Sequence, residues 1–142
     1  MFVALWGALF AIAFLARTAM DWHMLTTDFQ TRSAVSTLLA AGIFLAAGFW
    51  AGWRSGSSAA GGVISLFAAG LALPIQLAGA GLLLALWHDP STVAAIRASG
   101  GLEEVFTLPL LTILPAVVFG AIGGAIGAKI GRLRASQDSL SP

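Results

Sequence analysis

Two histidines occupy matching places in this chain and are the first residues whose type could do chemistry. His23 and His88 each directly follow a tryptophan at the end of a long apolar run, and each precedes an arginine by nine residues. A b-type haem between the two imidazoles, with the arginines at its propionates, is one chemistry that this pattern permits. Both histidines fall at the edge of an apolar run, where a haem would not be shielded from water. We therefore favour solvated histidines and expect no cofactor.

Few polar side chains interrupt the apolar runs, and Gln76 is the most prominent of them. It lies on a face of small residues at helical spacing, and Thr112 lies on a similar face of the last run. A glutamine in lipid costs free energy unless its amide finds partners, so we expect Gln76 and Thr112 to face each other. An interhelical hydrogen bond is the interpretation that we favour. The alternative is a polar lining, with Thr107, for a small substrate or water.

Arg17 is the one charged residue expected within the hydrocarbon. A helix starting at Met1 places it roughly 24 Å along the axis, short of the far side of a core about 30 Å thick. Snorkelling to the headgroups, or pairing with Asp21 one turn later, satisfies the guanidinium, and we favour this over an anion site. No Asp, Glu, Lys or His lies near the middle of any run, which argues against an ion pump or a proton-coupled transporter.

The sequence contains no motif for catalysis or metal binding. There is no G-x-S-x-G, no H-E-x-x-H and no phosphate-binding loop, and no Ser or Thr has a neighbouring group to activate it. The chain has no cysteine, which excludes disulfides and thiolate metal sites. Its net charge of +1 argues against a nucleic acid partner. We therefore predict that the protein is not an enzyme.

The elements that must position these residues are four long apolar helices. The 142 residues are 58% hydrophobic and only 9% charged, against about 25% charged in soluble domains. Charged residues divide the chain into apolar runs that each approach or exceed the roughly 20 residues of a membrane-crossing helix. We predict an all-α membrane protein, a four-helix transmembrane bundle with up-down-up-down topology over residues 1–134, and a short polar cytoplasmic tail over 135–142. The predicted helices cover about 2–20, 34–53, 59–87, with tilt or a bend at Pro74, and 105–128.

Basic residues predict the direction of the chain in the membrane. With both termini inside, four basic residues lie on the cytoplasmic side and three outside, and the cluster after the last run is the clearer signal. We therefore predict a multi-pass protein of the cell membrane with both termini in the cytoplasm. The cytoplasmic residues are Arg54, Lys129, Arg132 and Arg134, and the outer ones are Arg17, Arg32 and Arg97.

Glycines at intervals of three and four residues mark the faces on which the helices are expected to pack. Residues four apart share a helix face, and glycine lets a neighbouring backbone approach closely. We favour packing within the bundle, and the alternative is a homo-oligomer or a membrane partner subunit. The predicted packing positions are Gly48 and Gly52 in the second run, and Gly120, Gly123, Gly124 and Gly127 in the fourth.

Two glycine-rich segments carry a resemblance to a known group of proteins: AGWRSG at 51–56 and VFGAIGGAIG at 118–127. The chain resembles small glycine-rich four-helix bacterial membrane proteins of unknown function, over most of its length. The resemblance implies the fold and no active residues. We expect a structural, accessory or oligomer-forming helix bundle in the lipid bilayer, and the alternative is a small channel or transporter lined by Gln76 and Thr112.

Overall fold

The computed structural model describes residues 2–23, 29–86, 90, 94 and 101–138, and nearly all of them are helical. No strand occurs in this part of the chain. Three long helices are followed by a fourth that is interrupted once. The elements are α1 (Phe2–His23), α2 (Phe29–Ser55), α3 (Ser58–Leu86), α4 (Gly101–Leu111) and α5 (Ile113–Asp138).

Four stretches of these helices are long and apolar enough to cross a membrane. They carry large side chains on the outside of the bundle, where Leu38, Leu82 and Leu114 are 71%, 61% and 73% exposed. A soluble domain rarely exposes so much contiguous apolar surface, whereas a bilayer accepts it. The predicted class, an all-helical protein with four long apolar helices, is confirmed. The four stretches are Val3–Met20, Ala34–Ser55, Ser58–Leu86 and Phe106–Ser136.

The helices extend further than the apolar runs from which they were predicted. α1 ends at His23, α2 begins at Phe29, and α5 continues to Asp138. Residues 135–138, assigned to the polar tail, are therefore helical. The predicted ends followed hydrophobicity, but backbone hydrogen bonding continues into polar flanks, where side-chain polarity does not stop a helix. α3 runs through Pro74 as a single helix, close to its predicted bounds.

A tight turn at Gly56 joins α2 to α3 and makes them antiparallel. Gly56 has a φ of 70°, the left-handed conformation in which glycine is favoured because it lacks a Cβ. Its N–H donates to the Gly52 carbonyl at 2.8 Å, the bond that closes a helix ending in this conformation. Arg132 of α5 donates to the Gly56 carbonyl at 3.0 Å and ties the turn to the last helix.

α1 and α3 run parallel to each other. Near the start of α1, Gly7 packs against Ala68, and further along Leu15 packs against Gly79. Since α2 is antiparallel to α3, it is also antiparallel to α1. Where α1 and α2 meet, the Phe10 and Phe44 rings lie 4.5 Å apart between centroids. These rings and four alanines form the core; the alanines are Ala11, Ala69, Ala72 and Ala116.

The fourth helix is broken at Thr112, between two prolines. Pro109 and Pro115 have no N–H, so neither can donate to the carbonyl four residues earlier. Helical hydrogen bonds persist on both sides of the break, from Thr112 N to Leu108 O at 3.1 Å and from Ala116 N to Thr112 O at 2.9 Å. The single helix expected over 105–128 is thus two segments, and prolines are the usual cause of such an interruption.

Candidate functional site

Glycines of α2 and α5 meet face to face. Gly48 packs against Gly120, and Gly52 packs against Gly124. A methyl carbon built on Gly52 would lie 2.6 Å from Gly124 Cα, and one built on Gly48 would lie 2.8 Å from Gly120 Cα. Both separations are shorter than a Cβ tolerates, so this contact accepts no side chain. The order of the pairs along the chain shows that α2 and α5 run parallel.

The other two predicted glycines, Gly123 and Gly127, also face α2. A methyl carbon on Gly123 would lie 2.9 Å from Phe49 N, and one on Gly127 would lie 2.8 Å from Trp53 N. The backbone of α2 therefore occupies the groove that these glycines leave on α5. The structure places all six predicted glycines in one contact, which we call the glycine seam. Both sides of the glycine seam are therefore formed by helices of the same chain.

α3 closes the glycine seam from a third side. A methyl carbon on Gly61 would lie 2.7 Å from Gly124 Cα, and one on Gly120 would lie 2.5 Å from Ser65 Cβ. Ser65 is fully buried, and its hydroxyl donates to the Phe44 carbonyl of α2 at 3.4 Å. Gly61 was not among the predicted packing positions. It lies four residues before Ser65, and this spacing continues the small-residue face of α3 that contains Gln76.

Gln76 lies inside the bundle without the hydrogen bond that was expected for it. The residue is 1% exposed, and neither amide atom has a hydrogen-bond partner. Thr112 does not bind it, because the Thr112 hydroxyl donates to the Pro109 carbonyl of its own helix at 2.7 Å. Thr18 bonds in the same way to the Phe14 carbonyl at 3.0 Å. Threonines in helices often bond back to their own backbone, and here that bond replaces the interhelical one.

Of the residues proposed as a polar lining, only Thr112 lines the cleft described below. Thr107 is exposed, Thr112 is half-buried at the wall of a cleft, and Gln76 lies outside that wall. The side chains of His23, His88 and Asp21 lie outside the described part of the chain. The expectations that no haem binds and that Asp21 pairs with Arg17 therefore stay predictions. In the described ranges, no group of three or more His, Asp or Glu could hold a metal.

A cleft lies next to two of the predicted site residues, Arg17 and Thr112. It has a volume of about 180 Å³ and lies between α1, α2 and the broken fourth helix. Arg17, proposed as an anion contact, lines it and is half-buried. Most of its wall is aromatic or aliphatic. Residues that characterise the wall are Phe10, Phe14, Phe44, Phe119, Leu108 and Thr112.

At the opposite end of the bundle, basic side chains contact aromatic rings and turns. The Arg54 guanidinium lies 4.8 Å from the centroid of the Trp50 ring, a cation–π geometry. Arg132 binds the turn at Gly56, as described above. Tryptophans and arginines are the residues that usually mark a membrane–water interface, so this end has the composition of one.

Comparison of the chain with protein-family models, with curated proteins and with solved structures finds no match. The similarity to small glycine-rich bacterial membrane proteins therefore stays an expectation from sequence. What the fold defines is a coarse class: an all-helical protein with four apolar helices suited to a membrane.

Proposed function

We propose that this chain is an integral protein of the cell membrane that crosses the bilayer four times, up-down-up-down, with both termini in the cytoplasm. Four long apolar helices with large hydrophobic side chains on their exposed surface support four crossings of the bilayer. The parallel pairs α1–α3 and α2–α5, with α2 antiparallel to α3, fit alternating passages. The direction rests on Lys129, Arg132 and Arg134, which follow the last apolar run and favour the cytoplasmic side.

Within the membrane, we propose that the protein is a structural or accessory helix bundle without catalytic activity. The glycine seam is the observation that carries this proposal. The hydrophobic effect does not drive helices together in lipid, so close backbone contact must supply the attraction. Here the backbones of α2 and α5 meet at paired glycines, with Gly61 of α3 beside them. A homo-oligomer or a partner subunit would then have to use another surface, because the seam is already filled.

Gly127→Leu tests whether the glycine seam packs helices of the same chain against one another. A leucine there would collide with the α2 backbone near Trp53, so we expect the folded protein to lose about 3 kcal/mol of stability, the upper range for overpacking. Thermal unfolding in detergent, followed by circular dichroism, measures the loss. Size-exclusion chromatography with light scattering measures the oligomeric state of the same sample.

Gly42→Leu is the matched control, since nothing lies within 4 Å of a Cβ at Gly42 on the same α2 helix. We expect its melting temperature to change little. If Gly127→Leu instead dissociates an oligomer whose monomers keep their melting temperature, the seam is an interface between chains and the proposal is wrong.

A small channel or transporter is the second candidate, and the buried, unpaired amide of Gln76 is the observation that favours it. Polar atoms without protein partners inside a membrane bundle often mark a path for water or a polar substrate. In that case Gln76→Leu together with Thr112→Val would abolish the flux of water or a small polar solute into proteoliposomes while the protein stays folded. A structural bundle predicts no specific flux in the unsubstituted protein.

A further inference from the structure

The cleft between α1, α2 and the broken fourth helix has a polar end and an apolar end. Arg17, Ser36 and Thr37 line one end, and the aromatic residues Phe10 and Phe44 line the other. α1 and α2 are antiparallel and touch at the two Phe rings. Arg17 follows Phe10 by seven residues and Thr37 precedes Phe44 by seven, so Arg17 and Thr37 lie at the same level along the bundle. At 1.5 Å per residue, the lined stretch is roughly 10 Å long.

The shape and charge of this cleft select one kind of ligand. Its volume of about 180 Å³ is below the roughly 300–1,000 Å³ of common small-molecule sites, so an elongated cleft of this size suits a segment of one hydrocarbon chain. The described residues that line it include one charged residue, Arg17, and the hydroxyl-bearing Ser36 and Thr37. The polar end therefore favours an anion, while the aromatic end favours an acyl chain.

The position of Arg17 fits a lipid that enters from the surrounding bilayer. Arg17 lies six residues before the end of α1, roughly 9 Å from that end. Thr37 on the opposite wall is exposed on the surface of the bundle, so the polar end of the cleft opens outward rather than into the core. A guanidinium binds phosphate oxygens through paired hydrogen bonds, and the long arginine side chain can reach toward the headgroup level.

We propose that this cleft binds one acyl chain of an anionic phospholipid, with Arg17 at the lipid phosphate and Ser36 and Thr37 beside it. The proposal rests on the membrane location given above. It adds a specific lipid site to the bundle.

Photo-crosslinking in nanodiscs tests the proposed lipid site in a bilayer. The probes are phosphatidylglycerol and phosphatidylcholine with the same acyl chains and the same diazirine, each at low fraction in phosphatidylcholine nanodiscs. Mass spectrometry of the peptides compares labelling at Phe44 and Phe119 in the cleft with labelling at Leu38, which is exposed. Both lipids carry a phosphate, but the choline cation partly neutralises that of phosphatidylcholine. We therefore expect phosphatidylglycerol to label the cleft roughly tenfold more than phosphatidylcholine, a ratio that corresponds to about 1.4 kcal/mol.

Four variants separate the effect of the Arg17 charge from the effect of the cleft volume. Arg17→Gln should bring the ratio of the two lipids at the cleft to about one, and Arg17→Lys should keep part of the preference. Ala41→Phe, which places a ring in the cleft wall, should reduce labelling there by both lipids. Arg134→Gln, which removes one positive charge from an exposed residue outside the cleft, should leave the ratio unchanged. The melting temperature of each variant shows whether it is folded.

Equal labelling of the cleft by both lipids in the unsubstituted protein would overturn the proposal. So would an unchanged ratio in folded Arg17→Gln, or an equal loss in Arg134→Gln, which would indicate a general charge effect. The membrane topology is measured separately, by cysteine labelling. A chain that crosses four times but shows no lipid preference would refute the lipid site alone.

Discussion

Gln76 is buried at 1% exposure on the small-residue face of α3, and both atoms of its amide lack hydrogen-bond partners. The sequence predicted its burial, because small residues at spacings of three and four placed it on an inward face. The missing hydrogen bond could not be predicted in this way. Helical spacing says which face a residue occupies, but Thr112 had a competing acceptor in the Pro109 carbonyl of its own helix.

Gln76→Leu should therefore stabilise the protein. A buried amide without a partner costs about 1–3 kcal/mol relative to an apolar side chain, and leucine is of similar size. We expect a higher melting temperature in detergent or a higher midpoint in a mixed-micelle unfolding titration. Gln76→Ala is the control, since it removes the same amide but leaves a cavity. A clear loss of stability in Gln76→Leu would show that the amide has a partner in the native membrane protein.

At the scale of the helices, sequence reasoning identified the elements and which of them form the glycine seam. Apolar runs long enough to span a membrane gave all four helices, and the glycines at 48, 52, 120, 123, 124 and 127 lie where α2 and α5 meet. It did not give the break at Thr112. Two prolines six residues apart were present, but the hydrophobic pattern continues through them and masked the interruption.

The turn between α2 and α3 depends on the backbone conformation of Gly56. A Cβ at Gly56 meets no atom within 4 Å, so Gly56→Ala isolates the cost of placing an L-residue at a φ of 70°. We expect it to lose about 1–2 kcal/mol, measured by thermal unfolding. Gly42→Ala, in the middle of α2 with equally open space, should be neutral or slightly stabilising, because alanine favours a helix. Equal effects of the two changes would show that the conformation of Gly56 does not matter.

Large apolar side chains are exposed around an interior of small residues, and the proposed four crossings depend on this property of the bundle. Composition predicted this arrangement, since a chain with 9% charged residues cannot cover its apolar surface with polar groups. The basic residues divide four to three between the two predicted sides, so their number alone carries little information on the direction. The direction is determined by the interactions of charged flanking residues with the translocation machinery and the bilayer. It does not follow from how the helices pack.

Cysteine labelling of intact cells measures the crossing and its direction together. The chain contains no cysteine, so single replacements can be introduced without a background. Thr27→Cys and Ser99→Cys are on the predicted outer side, and Ser57→Cys, in the turn between α2 and α3, is on the predicted cytoplasmic side. Four crossings with cytoplasmic termini predict that a membrane-impermeant maleimide labels the first two variants from outside, and labels Ser57→Cys only after the membrane is permeabilised. Labelling of Ser57→Cys alone in intact cells would show the reverse orientation, and labelling of all three would contradict the membrane-spanning bundle itself.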